Sequence, residues 1–235
     1  CAAVVRAINA ALLPGVVDDV CRSTFTVSAI ALTWRFKLSG MTRASLASTL
    51  ATAGAASASP RPRAAPLPTD RATAFHPRHA VHLAAGSRMT LIEICIGEGA
   101  YLHNPVLSAT VEADATLVHL RLQDEAKSAF HLSTVYADVA ERGTYDSFAL
   151  NLGARLSRME VHARLGGSGA GAKLDAAQLL GGEQHGDFTT VVLHDAPNTQ
   201  SRQTVKNVLT DRAHGVFQGK IEVDRLAQKT DGYQM

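Results

Sequence analysis

The chain has 235 residues, 46% hydrophobic, 19% charged and 5% aromatic, enough to bury a core without disulfide staples. Lys+Arg at 23 against Asp+Glu at 21 leaves a net charge of +2, too near neutral for a dedicated nucleic-acid binder. No uncharged apolar run reaches the ~18 residues of a membrane span, and Cys1, Cys21 and Cys95 form no C-x-x-C pair. These counts argue against a disulfide framework and a structural zinc site, and read as a soluble protein of a reducing compartment, the cytoplasm.

In chain order, AVVRAINAALL near the start reads as a short helix and TFTVSAIALTWRF as a strand. From Val20 to Thr69 there is no acidic residue, and Arg43 to Pro68 is Ala/Ser-rich, ending in closely spaced prolines. That stretch has little large apolar surface to offset its ordering entropy, so 43–70 reads as linker within a poorly structured N-terminal segment, 1–70. Its acid-free composition also fits an organelle transit peptide, but such peptides lie at a terminus, and some 40 residues precede this one.

A second domain is expected over 71–235, where the texture changes. MTLIEICI (89–96), TLVHLRL (116–122), FHLSTVYADV (130–139), RMEVHARL (158–165) and FTTVVLHD (188–195) alternate with period 2, the pattern of strands with one buried face. In TLVHLRL, Leu117, His119 and Arg121 share one face, with Thr116, Val118, Leu120 and Leu122 on the other. Turn-plus-strand units anchored at Gly86, Asp114, Gly143 and Gly171 recur at 28, 29 and 28 residues. Such spacing predicts an all-β solenoid or regular meander, each unit burying its apolar face against its neighbours. Spacing alone does not separate a β-helix from a sandwich.

Ten histidines carry the most chemistry: His76, His79, His82, His103, His119, His131, His162, His185, His194 and His214. In His76-x-x-His79-x-x-His82 the middle residue of a strand points away from the other two, so a solvated strand start is expected rather than a metal site. His194-Asp195 followed by Ser201 suggests a triad. Yet neighbours on a strand face opposite ways and no G-x-S-x-G elbow is present, so a strand end running into the Pro197-Asn198 turn is expected. The run Gly166 to Lys173 lacks the Gly-Lys-Ser/Thr ending of a phosphate loop and reads as a turn. Cys95, flanked by isoleucines, reads as a buried inert thiol. Glu93, Glu98, Asp124 and Glu125 show no acid/base spacing. No catalytic or metal residue is assigned, and cofactor-binding residues are left unassigned.

The last forty residues are the most specific. Ser201-Arg-Gln, then Gly215-Val-Phe-Gln-Gly-Lys-Ile, then Ala227-Gln-Lys-Thr-Asp-Gly-Tyr-Gln-Met235 stand in an order and spacing that resemble the SufB/SufD family of iron–sulfur cluster assembly proteins, its SufD branch in particular. LQDEAKSAFHLST, SFALNLGARLSRMEVHARL and HGDFTTVVLHDAPNTQSR extend the resemblance over about 75–235. It implies a right-handed parallel β-helix. It further implies a non-enzymatic scaffold subunit of the SUF system that pairs with SufB through the β-helix and docks the ATPase SufC through a C-terminal helical region. The cluster would be transient, at the level of the complex, with no cofactor resident in this chain and no nucleic-acid or membrane partner. SufD-like subunits contribute structure, iron acquisition and one cluster-proximal histidine, onto which none of the present histidines can be carried. The family's later strands and SufC-docking helices are not in the sequence. With Cys1 in place of an initiating Met, the expectation is an end-truncated fragment, unable by itself to dock SufC and prone to associate through its last rung. The alternatives are a β-helix enzyme acting on polysaccharide, for which no paired-Asp motif is present, and a β-helix binding module.

Overall fold

The structure, a computed structural model, describes residues 28–36, 49–53 and 73–235. The strands are β1 (Ser28–Phe36), β2 (Thr49–Ala53), β3 (Thr73–Phe75), β4 (Arg78–Leu83), β5 (Arg88–Gly97), β6 (Tyr101–His103), β7 (Val106–Val111) and β8 (Thr116–Glu125). They continue with β9 (Phe130–Val139), β10 (Thr144–Asn151), β11 (Leu156–Leu165), β12 (Gly171–Leu180), β13 (His185–His194), β14 (Gln200–Leu209), β15 (His214–Val223) and β16 (Asp231–Gln234). Among the described residues there is no helix.

Along β12 and β13 burial alternates residue by residue, as period-2 patterning requires. Every pairing is parallel. One sheet runs β1-β5-β8-β10-β12-β14-β16 and the other β15-β13-β11-β9-β7-β4-β2. From β4 onward the main strands alternate between the two sheets, so the chain coils and each turn stacks on the one before. Arg88 pairs with Thr116 and Thr116 with Thr144, an offset of 28 residues at each step. The fold is therefore a parallel β-solenoid, and the expected repeat is its rung.

From β5 onward, the corner before each strand of the first sheet is fixed by a left-handed residue. Gly86, Asp114, Arg142, Gly169, Asn198 and Lys229 all have φ between 53° and 72°. The amides of Gly86, Asp114, Arg142, Gly169 and Asn198 each donate to a carbonyl in the corner of the following rung, at 2.8 to 3.2 Å. The expected repeat holds, and the left-handed residue of the third and fourth corners, Arg142 and Gly169, stands one and two positions before the anchors Gly143 and Gly171. The cross-rung bond holds the conformation even where the residue is not glycine.

The strand expected in TFTVSAIALTWRF exists as β1, paired with β5. The short helix expected in AVVRAINAALL lies outside the described residues. Within the expected linker, Thr49–Ala53 forms β2 and pairs with β4. An open sheet edge recruits backbone, and the threonine-bearing TLATA suits a strand without needing a large apolar face.

The interior is divided lengthwise. Met89, Leu117, Tyr145 and Leu174 from one sheet meet Leu83, Val111, Val139 and Leu165 from the other, forming a fully buried apolar half. The opposite half is lined by polar side chains, and it holds the candidate site.

Candidate functional site

The polar half arises because inward positions late in β5, β8, β10 and β12, and early in β9 and β11, carry polar residues. Register stacks them into columns. Cys95 sits beside Gln123, which sits beside Asn151, then Gln178, then Asn207. Asn151 Nδ2 donates to Gln178 Oε1 and Gln178 Nε2 to Asn207 Oδ1, both at 3.0 Å, so three rungs share an amide ladder.

The next column places Glu93 beside Arg121. Arg121 Nε donates to Glu93 Oε2 at 2.9 Å and Nη2 to Ser133 Oγ at 2.6 Å, with all three residues buried. Burial alone would raise the Glu93 carboxyl, but Arg121, helped by His119, holds it well below the usual carboxylate range. His119 Nε2 lies 3.4 Å from Glu93 Oε2, and its Nδ1 is 3.0 Å from the Tyr145 hydroxyl. Burial lowers His119 despite Glu93, so the neutral ring with Nε2–H toward Glu93 accepts the Tyr145 proton on Nδ1.

Beyond this pair lies a second cluster. Glu125 receives His103 Nδ1 at 3.1 Å on Oε1, and His131 Nδ1 at 2.6 Å and Gln123 Nε2 at 2.9 Å on Oε2. Gln123 is held in turn by the Gly153 amide, which donates to Oε1 at 3.0 Å. A side chain at position 153 would fall into the Glu125 backbone, which is why that close approach needs glycine. Burial would raise Glu125, yet the His131 and His103 contacts keep it well below the carboxylate range. Burial pushes His131 down against the pull of Glu125, and it pushes the Cys95 thiol well up, with Glu93 and Glu125 adding to the rise. Tyr101 stands beside Glu125, its hydroxyl raised by burial and by that carboxylate. One ligand atom from each of Cys95, His103 and His131 lies within 4.8 Å of the other two.

The residues singled out in the sequence separate as follows. His76 and His82 are exposed, whereas His79 turns inward at 6% exposure, so the expected solvated strand start holds only for the outer two. His79 points into the polar half, where Glu93 and His103 act on it. His194 does meet Ser201, Nε2 to Oγ at 3.0 Å, but its Nδ1 bonds Thr199 Oγ1 at 2.7 Å rather than a carboxylate. Asp195 faces away and pairs with Arg164 at 2.6 Å. The expected split of His194 from Asp195 holds, and the His–Ser contact is sealed in the core. Gly166 to Ala170 forms the expected turn, and Lys173 on β12 pairs with Asp146 and Asp175. Cys95 is buried. Glu98 and Asp124 are exposed, while Glu93 and Glu125 anchor the two interior clusters. The pairs of His103, His119, His131 and Arg121 with these carboxylates are invisible to motif reading; the only signal was polar residues on the inner phase of strands one repeat apart.

An open cleft of about 370 Å³ on the outer surface is lined by Glu112, Asp138, Glu141 and Arg164. Its carboxylates are tied up, Asp138 by Arg164 and Glu112 by His82.

Fold and site define a parallel β-solenoid domain with a sealed polar interior. A family model described as SUF system FeS cluster assembly, SufBD core domain, matches residues 67–235, and the chain belongs to that family. Similar curated proteins include "Protein ABCI7, chloroplastic" of Arabidopsis thaliana, 29% identical over 68% of this chain and 34% of the relative. The iron-sulfur cluster assembly protein SufD of Escherichia coli is 28% identical over 67% of this chain and 38% of its own length. A SufBD family protein of Synechocystis is 27% identical over 57% and 30%. The chain thus spans about a third of the length of these relatives.

Proposed function

We propose that this chain forms the solenoid core of a SufD-type scaffold subunit in iron–sulfur cluster assembly. It pairs with a SufB-like subunit along the β-solenoid and works with a SufC-like ATPase that contacts the subunit outside this domain. It performs no turnover of its own, and the cluster is the cargo of the complex rather than a resident group. The site of action is the compartment that houses the SUF machinery, the cytoplasm in a bacterium.

The observation that carries this reading is the unbroken family match over 67–235, which coincides with the solenoid. The surface supports it: exposed arginines pair with carboxylates on their own or neighbouring rungs, as Arg142 does with Asp114, Arg158 with Asp187 and Arg164 with Asp195. Among the described residues these pairings occupy Asp114, Asp187 and Asp195, carboxylates that a polysaccharide-acting β-helix would leave free. The test is co-expression of the full-length reading frame with SufB- and SufC-like subunits from the same source. A stable complex on size exclusion is expected. Independent elution of folded protein at micromolar concentration sinks the proposal.

A further inference from the structure

We propose that Cys95, His103 and His131 bind one divalent first-row transition-metal ion inside the solenoid, with Glu125 orienting both imidazoles from behind. This goes beyond the scaffold reading and does not rest on it.

Register builds the site. β6 pairs with β9 so that His103 stands beside His131, with ring centroids 5.1 Å apart and planes at 79°. β5 supplies Cys95, and β8 supplies Glu125 one rung on. The three candidate ligand atoms lie within 4.8 Å of one another, wider than a loaded tetrahedral site. With metal–sulfur at ~2.3 Å and metal–nitrogen at ~2.0–2.1 Å, closing on an ion draws them inward by about 1 Å.

The outer partners are already those of a metal site. Both imidazoles give their Nδ1–H to one carboxylate, which fixes the tautomer and leaves the lone pair of each ring on Nε2. His131 is 1% exposed, and its Nε2 has no hydrogen-bond partner. A buried polar nitrogen in that state costs free energy unless something binds it, and a metal ion is what its lone pair fits.

Charge points the same way. Among the described residues no lysine or arginine pairs with Glu125; its ionic partners are the two histidines. A divalent ion entering as Cys95 Sγ–H loses its proton brings two positive charges and one negative, and the remainder matches the Glu125 carboxylate. The balance is M²⁺ plus Cys–SH giving a thiolate complex of net charge +1, [M–S–Cys]⁺, plus a released proton, with no redox change. One thiolate and two imidazoles suit zinc or ferrous iron rather than calcium or magnesium, and three protein ligands leave one coordination position. Cys95, His103 and His131 are all buried, so loading accompanies folding.

The test uses the 235-residue chain alone, produced in minimal medium supplemented with zinc, ferrous iron or cobalt(II) and purified anaerobically without chelators. About one metal per chain is expected, and the cobalt form shows a thiolate-to-metal charge-transfer band. Cys95→Ser abolishes the band and lowers retained metal by roughly tenfold or more while far-ultraviolet circular dichroism is unchanged. Should that variant fail to fold, X-ray absorption of the wild-type zinc form decides, with one sulfur at about 2.3 Å and two imidazole nitrogens at about 2.0–2.1 Å expected. Folded wild-type chain without metal, or metal without a sulfur ligand, overturns the proposal. Because no SUF partner is present, either result leaves the scaffold reading standing, and failure of complex formation leaves this site standing.

Discussion

Replacing Arg121 with Met removes the guanidinium that meets Glu93 and leaves a carboxylate at 4% exposure facing neighbouring histidines, His119 the nearest. At 2.9 Å and an effective dielectric of about 20, the lost attraction is about 6 kcal/mol. Relief of the arginine's own desolvation offsets part of this, and breaking one side of a buried pair costs about 3–5 kcal/mol in practice. With a urea slope of about 2–3 kcal/mol/M, the unfolding midpoint drops by roughly 1–2 M at pH 7. The pH dependence inverts as well. In the wild type Glu93 sits below its unfolded value, so its contribution is present above about pH 4.3 and is lost as pH falls through the lower folded value. In Arg121→Met burial dominates and the folded value rises above the unfolded one, so stability increases as pH falls from 7 toward 5 through proton uptake at Glu93 or His119. The double variant Glu93→Leu/Arg121→Met regains most of the loss, because no charge is left unpaired. Urea titrations followed by circular dichroism at pH 7 and pH 5 measure all three. A single-variant loss below about 1 kcal/mol, or a double variant no more stable than the single, refutes the reasoning.

Two further outcomes follow from the same interior. Gln178→Leu strands Asn151 Nδ2 and Asn207 Oδ1 at once and is expected to cost about 2–4 kcal/mol by urea titration, with faster amide exchange in β10 and β14. Gly167→Ala drives a side chain into the Glu141 backbone, whereas Gly86→Ala meets nothing and strains only a φ of 69°. The first is expected to lower the melting temperature clearly more than the second, whose strain is about 1–2 kcal/mol.

Much of the fold was legible because its signal is local. The 130–139 strand was read to the residue, and the strands starting near 89 and 158 to within two, since alternation and turn chemistry are properties of neighbouring residues. Short strands such as β3 and β6 escaped, being too brief to show a period. The site escaped for a different reason. In β8 the inward face carries Leu117, then His119, Arg121, Gln123 and Glu125, while Val118 and Leu120 on the other face are part-exposed and Leu122 is buried. Hydropathy alone inverts that strand. What turns it is the pairing of Glu93 with Arg121 and of His103 and His131 with Glu125, across 28, 22 and 6 residues, which no single strand contains.

That inversion bears on why a solenoid tolerates so polar an interior. A slip of β8 by one residue exchanges its two faces, burying Val118 and Leu120 and expelling Arg121 and Glu125. Since the outward face is already apolar, hydrophobic burial does not oppose the slip; it favours it. The opposing force comes from directional bonds: Arg121 to Glu93 and Ser133, and Gln123 to Glu125 and to the Gly153 amide. Each is satisfied in one register only, and a slip leaves several buried donors and acceptors unpaired at about 1–3 kcal/mol apiece. Stacked rungs otherwise resemble one another closely enough to pair out of register, so the polar half does for alignment what the apolar half does for stability. A cluster that fixes Cys95, His103 and His131 around one point is then an extension of the same interior, built from the residues that hold the rungs in step.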